Sequence, residues 1–147
     1  MSSNGTSVIL LAEDDANDVF FLRRAFQKAE LGCKIVDVPN GQAAVDYLTG
    51  VSPYDDRTRY PLPQLLLLDL KMPLMSGFEV LEWLRGKAEL AALPALVLSS
   101  SAHQEDVAKA RALGAREYHV KPSDQHQLLQ LVRELQNKWL SHNVVAA

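Results

Sequence analysis

Cysteine is almost missing from this chain of 147 residues. Cys33 stands alone, which excludes an intramolecular disulfide and a cysteine-built zinc site. A reducing, cytoplasmic setting is the simplest expectation. Long apolar runs are missing too: no stretch approaches 18 residues, so no membrane span is expected. The opening segment, Met1 to Ser7, is small and polar and lacks the basic start of a signal peptide. The 15 basic residues form no stripe and the net charge is −3, so nothing offers nucleic acid an electrostatic footprint. His103, His119, His126 and His142 show no metal-ligand spacing and are expected at the surface or in loops. Repeats and low-complexity segments are absent.

What is present is an ordinary globular composition, 48% hydrophobic and 22% charged. At this length one domain is the default, here residues 1–147 with a core over about 7–140 and no second domain attached. Apolar runs alternate with helical patterns. Strands are expected at Val8 to Ala12, Lys34 to Val38, Gln64 to Asp69, Ala95 to Ser99 and Glu117 to Val120. The first helix, capped by Asp15 or Asn17, carries Val19, Leu22, Phe26 and Ala29 at helical spacing and ends at Gly32. A second runs from Asn40-Gly41 to Gly50, a third from Ser76 to Arg85 with Phe78, Leu81 and Leu84 inward, and a fourth over 103–113. Ser123 is expected to cap a fifth, with Leu128, Leu131, Val132, Leu135 and Trp139 as its apolar face. Residues 51–64, rich in proline and charge, read as an exposed, stiffened loop. Trp83 and Trp139 are read as packing residues. This alternation gives an α/β fold, a doubly wound five-stranded parallel sheet with helices on both faces.

The strand ends carry the chemistry. Leu65-Leu66-Leu67-Leu68 closes on Asp69, and Lys71-Met72-Pro73 forces a turn there. The first apolar run closes on Glu13-Asp14-Asp15 and the last on Lys121-Pro122. The carboxyl ends of central strands are where open α/β sheets place their sites. Acids, a central carboxylate and a cation at equivalent strand ends fit a divalent metal and a phosphoryl group. Each feature alone has a plainer reading. An acidic pair before a helix is usually a cap, Lys-Pro is a routine loop, Ser99-Ser100-Ser101 could cap the next helix, and Tyr118 could be a half-buried strand aromatic. Only their joint spacing favours the site.

Those residues resemble the receiver domain of two-component response regulators, over roughly residues 7–140. Glu13-Asp14 is similar to the family's acidic pair and Asp69 to its phospho-accepting aspartate. Ser99 stands at the switch hydroxyl, Tyr118 at the switch aromatic, and Lys121 at the lysine that precedes a cis proline, here Pro122. Pro73 and Gly77 match the turn after the acceptor, and the separations agree: 30 residues from Asp69 to Ser99 and 22 more to Lys121. The resemblance implies a flavodoxin-like (βα)5 sheet in strand order 2-1-3-4-5. The 51–64 loop and Trp139-Leu140 resemble one subgroup, the stand-alone regulators paired with phytochrome-type histidine kinases.

The resemblance further implies Mg²⁺ as cofactor, held by Asp14 and Asp69 directly, by Glu13 through water, and by the backbone carbonyl of Lys71. Glu13 departs from the more usual aspartate, and Lys71 from the usual small polar residue. Lys121 and Ser99 would each contact a phosphoryl oxygen, since phosphoryl transfer needs mainly positioning and charge neutralisation. The donor would be a phosphohistidine on a sensor histidine kinase, so the chain accepts a phosphoryl group and assists its own phosphorylation and dephosphorylation without being an enzyme of independent turnover. The output would be the face of helix four, strand five and helix five, acting on an unknown downstream protein or on a second copy. Phe20 points away from the Leu22, Phe26 and Ala29 stripe, one turn beyond Asp14, and is read as a kinase-docking residue. The competing readings are an unphosphorylated receiver-like interaction module, whose lost acceptor, acids or lysine are not seen here, and an Asp-nucleophile phosphatase, whose Asp-x-Asp is replaced by Asp69-Leu70-Lys71.

Overall fold

A computed structural model describes residues 7–29 and 32–140. Five strands, β1 Val8–Ala12, β2 Lys34–Val38, β3 Leu65–Leu68, β4 Ala95–Ser99 and β5 Glu117–Val120, pair in parallel in the order 2-1-3-4-5. Five helices alternate with them: α1 Ala16–Lys28, α2 Gly41–Thr49, α3 Gly77–Arg85, α4 Gln104–Ala112 and α5 Gln125–Leu135. A short 3₁₀ turn, Ala88–Leu90, precedes β4, and a π-helical turn, Gln136–Leu140, follows α5. None of these helices is long and apolar enough to cross a membrane.

Strand parity builds two separate core layers, because successive side chains face opposite sides of a sheet. Leu10, Ala12, Leu66, Leu68 and Val97 pack with Ala44, Leu48, Val80, Leu81 and Ala110 of α2, α3 and α4. Ile9, Leu11, Leu65, Leu67, Leu96 and Leu98 pack with Leu22, Phe26, Leu128 and Val132 of α1 and α5. Both faces of β3 are therefore covered, which is why it reads as four leucines in a row.

Some local expectations need correction. Asp124, not Ser123, caps α5: its Oδ1 accepts from the amides of His126 (2.6 Å) and Gln127 (3.3 Å), the reach a capping carboxylate needs. In α3, Leu81 is buried as expected, Phe78 and Leu84 pack half-buried against the same core, and Val80 is a further buried residue; the helix itself begins at Gly77, after a Ser76–Glu79 capping box. α1 ends at Lys28, ahead of Gly32. Asp15 is its cap, accepting from Asn17 and Asp18 amides.

The 51–64 segment is not simply an exposed loop. Tyr54 and Tyr60 lie against Tyr47 of α2, with ring centroids 5.2–5.9 Å apart. Arg57 donates to the carbonyls of Tyr47 (2.8 Å), Leu48 (3.0 Å) and Tyr60 (3.1 Å). Two of those are carbonyls of the last turn of α2; that of Tyr47 also accepts from the Gly50 amide at 3.2 Å, while that of Leu48 lies beyond the reach of the helix's own i→i−4 ladder. The cis X-Pro bond among the described residues is Ser52–Pro53. Lys121–Pro122 is trans, contrary to expectation. Trans is the lower-energy isomer of an X-Pro bond, and Lys121 reaches its carboxylate partners with the bond in that form.

Candidate functional site at the carboxyl rim of the sheet

Parallel pairing sets the ends of β1, β3, β4 and β5 side by side. Ala12 pairs with Leu68 and Ser99 with Val120, so Glu13, Asp69, Ser99 and Lys121 emerge at one rim. The backbone holds them there: the Glu13 amide donates to Val38 O, that of Asp69 to Ala12 O, and that of Lys121 to Ser99 O at 2.7 Å. Gly77 closes the turn after Asp69, its amide donating to Leu70 O at 2.9 Å. A Cβ there would stand 2.2 Å from the Asp69 carbonyl oxygen, so no side chain fits without moving the aspartate. Leu74, in the same turn, adopts φ 67°, a left-handed conformation that an L side chain strains to hold.

Glu13 and Asp69 are buried and Asp14 is exposed. Each can offer a carboxylate oxygen within 4.8 Å of the others. That is a hard, all-oxygen donor set with an open side for water, and it fits a divalent cation such as Mg²⁺. Asp69 Oδ1 accepts from the Leu70 amide (2.7 Å), while Oδ2 accepts from Lys121 Nζ (3.2 Å). Burial is the main reason that the Glu13 carboxyl is pushed up to about 7; hydrogen bonds from Lys121 and the Asp15 amide oppose the rise, and the Asp69 charge adds to it. Burial also works against the Lys121 ammonium, but hydrogen bonds to Asp18 and Glu13 and the Asp69 charge outweigh it and hold its pKa above the usual lysine value.

Asp18 is the site residue that sequence reasoning missed. Its Oδ2 lies 2.7 Å from Lys121 Nζ, nearer than Glu13 (2.8 Å) or Asp69 (3.2 Å). The signal available was its place in the first turn of α1, the helix that begins directly after the acids that end β1. Ser99 is buried at the end of β4, and its Oγ accepts from the Ser101 amide at 3.1 Å. Tyr118 is half-buried and donates to the Ser101 carbonyl at 2.7 Å, so one short segment joins both expected switch positions. Phe20 lies outside the cluster, 58% exposed, its ring edge-on to Phe21 at 5.3 Å. Lys71 is exposed just past the acceptor position. His103 and His126 are exposed and His119 pairs with Glu117 at 2.8 Å; His142 lies outside the described residues.

A doubly wound sheet of this order defines a class of proteins when acids from β1, an aspartate from β3 and a lysine from β5 meet at one rim: the receivers of two-component signalling. The chain belongs to the response regulator receiver domain family, which matches residues 9–133. The response regulator Rcp1 of Synechocystis is 29% identical over 94% of this chain and 92% of its own. The solved Mn²⁺-bound form of Rcp1 is similar with a TM-score of 0.82 at 28% identity, covering 92% of this chain and 96% of that one. A response regulator in red-light signalling of R. palustris, RPA3017, gives a TM-score of 0.86 at 30% identity, covering 91% and 94%. The phosphorylated cyanobacterial phytochrome response regulator RcpA gives 0.85 at 30% identity, covering 93% and 96%.

Proposed function

We propose that this receiver takes a phosphoryl group from a sensor histidine kinase of the phytochrome type onto Asp69, with Mg²⁺ as cofactor, and that the change switches a protein-binding face. The observation that carries the reading is the convergence of Lys121 Nζ on Asp69 Oδ2 at 3.2 Å beside the Glu13–Asp14–Asp69 oxygens. A carboxylate attacks a phosphoryl group only if the repulsion of two anions is overcome, and a divalent cation supplies that neutralisation when bound. Glu13, Asp14, Asp69 and the Lys71 carbonyl are the groups that would hold it. Asp69 is the nucleophile, Lys121 orients one phosphoryl oxygen as a point charge, and Ser99 donates its hydroxyl to another.

The switch follows from the same contacts. Ser99 Oγ now accepts from Ser101, and a move towards the phosphoryl group breaks that bond. Tyr118 is held to the same Ser101, so the displacement reaches β5 and the face of α4, β5 and α5. The shift is limited to the difference in contacts between the two states. Through that face the protein would act on a downstream protein or a second copy of itself, and Phe20 on α1 would receive the kinase. A cytoplasmic location agrees with this partner. The Mn²⁺-bound and phosphorylated relatives support the metal and the modification, and the red-light relatives support the kinase class. Incubation with acetyl phosphate and Mg²⁺, followed by intact mass, tests it. One phosphoryl addition that Asp69→Asn removes is expected; equal labelling of that variant, or none in the parent, overturns the reading.

A further inference from the structure

Lys121 has three N–H donors and they meet three carboxylates, Asp18, Glu13 and Asp69. Two of these, Glu13 and Asp69, are also members of the acid cluster that fits a divalent cation. Asp18 is the exception. It stands outside that cluster, on α1 rather than at a strand end, and makes the shortest of the three contacts, 2.7 Å. The ammonium and a bound cation therefore draw on the same two carboxylates, Glu13 and Asp69, and like charges repel. With a cation in place, Asp18 is the carboxylate that Lys121 keeps.

We infer that Asp18 is a positioning residue for phosphoryl acceptance: it holds Lys121 at the pocket edge while Glu13 and Asp69 are committed to the metal. The inference rests on the metal-dependent phospho-acceptor reading above. Without Asp18, a lysine that loses two partners would swing out on its four-carbon stem, and side-chain entropy would have to be lost again when the phosphoryl group arrives. Asp18 is suited to this task by its side-chain exposure of 36%. Its bond to Lys121 is strong enough to direct the ammonium, yet water can replace it when a phosphoryl oxygen competes.

The test uses Asp18→Asn and Asp18→Glu in the full chain, with three readouts. Calorimetry gives Mg²⁺ affinity without any phosphoryl mimic. Titration with beryllofluoride at saturating Mg²⁺ gives affinity for the mimic. The NMR signal of the Lys121 ammonium in the Mg²⁺-loaded protein reports whether the lysine is held. In Asp18→Asn, Mg²⁺ affinity is expected to stay within about threefold, while beryllofluoride affinity falls about tenfold, or 1.4 kcal/mol. The Lys121 signal should broaden beyond detection with Mg²⁺ bound, and Asp18→Glu should restore both. An unchanged beryllofluoride affinity, or a Lys121 signal that survives in Asp18→Asn, overturns the positioning role. Equal losses for Mg²⁺ and beryllofluoride also overturn it, since they reduce Asp18 to one more negative charge. If the parent protein binds Mg²⁺ but no beryllofluoride, the acceptor reading itself has failed, separately from the part given to Asp18.

Discussion

The 51–64 segment and the carboxyl rim use similar residue types to opposite ends. Around Arg57, one cation meets three backbone carbonyls and the face of the Tyr47 ring 5.8 Å away. The Tyr47 hydroxyl donates to Pro61 O at 2.8 Å, and burial pushes that phenol up to about 12, so it stays a donor. All of these partners belong to the fold itself. At the rim, Glu13, Asp14, Asp18 and Asp69 gather around the single Lys121, and negative charge is in excess. The aromatics differ in the same way: Tyr54 and Tyr60 of the loop pack with Tyr47 of α2, while Phe20 and Phe21 pair edge-on with Phe20 facing water. A cation whose partners are the fold's own carbonyls and rings is structure. A cluster with negative charge in excess is held ready for something that the chain does not supply.

Asp69→Asn puts the most on this contrast. Labelling by acetyl phosphate should be lost entirely, whereas the melting temperature without metal should hold or rise, because one of the crowded charges is gone. A large fall in melting temperature would show that the rim, too, is structural.

Next comes pH. Folded Glu13 keeps its proton up to about 7, while an unfolded glutamate releases it near 4.3. Between those values the folded state binds more protons, so stability is fully present below the lower value and is lost as pH rises through the upper one. The metal-free protein should lose of order 3 kcal/mol between about pH 4 and pH 8. Added Mg²⁺ should restore more at pH 8 than at pH 5, since metal binding needs the ionised carboxylate. Denaturant melts at each pH measure this, and a Glu13→Gln variant with the same slope would remove Glu13 as its source.

Arg57→Ala should cost about 2–3 kcal/mol, since it strands carbonyls and strips packing from the tyrosines. Phosphorylation at 25 °C should be untouched. A variant as stable as the parent would mean that the loop contributes no such bracing.

Phe20→Ala is the mildest change. Truncating an exposed interface aromatic can cost about 2 kcal/mol, near thirtyfold in transfer from the kinase. Labelling by acetyl phosphate should stay intact. Equal loss with both donors would move Phe20 from the docking side of the comparison to the structural one.

Much of the fold was legible because parallel strands buried on both faces print as unbroken apolar runs. Leu65 to Leu68 could hardly be anything else, and the polar residue that ends each run marks the rim. Glu13, Asp14, Asp69, Ser99 and Lys121 all follow from that rule. Asp18 did not, because its role depends on how far a lysine from β5 reaches across to α1, a contact 103 residues apart in sequence. The loop misled for a similar reason. Arg57 and the two tyrosines look solvent-directed in isolation, and only the carbonyl end of α2 gives them partners. The cap of α5 turned on one residue, Ser123 against Asp124, where both types cap equally well.

Among the described residues the two core layers share no buried side chain. Seen as an engineering constraint, the sheet is a partition. Residues of α1 and α5 can be exchanged without repacking α2, α3 or α4, because no methyl group reaches through the strands between them. The proposed output face of α4, β5 and α5 straddles that partition, because α5 shares its core layer with α1, the proposed docking helix, while α4 belongs to the other. A change to α5 made for one partner is therefore felt by α1, whereas a change to α4 is not.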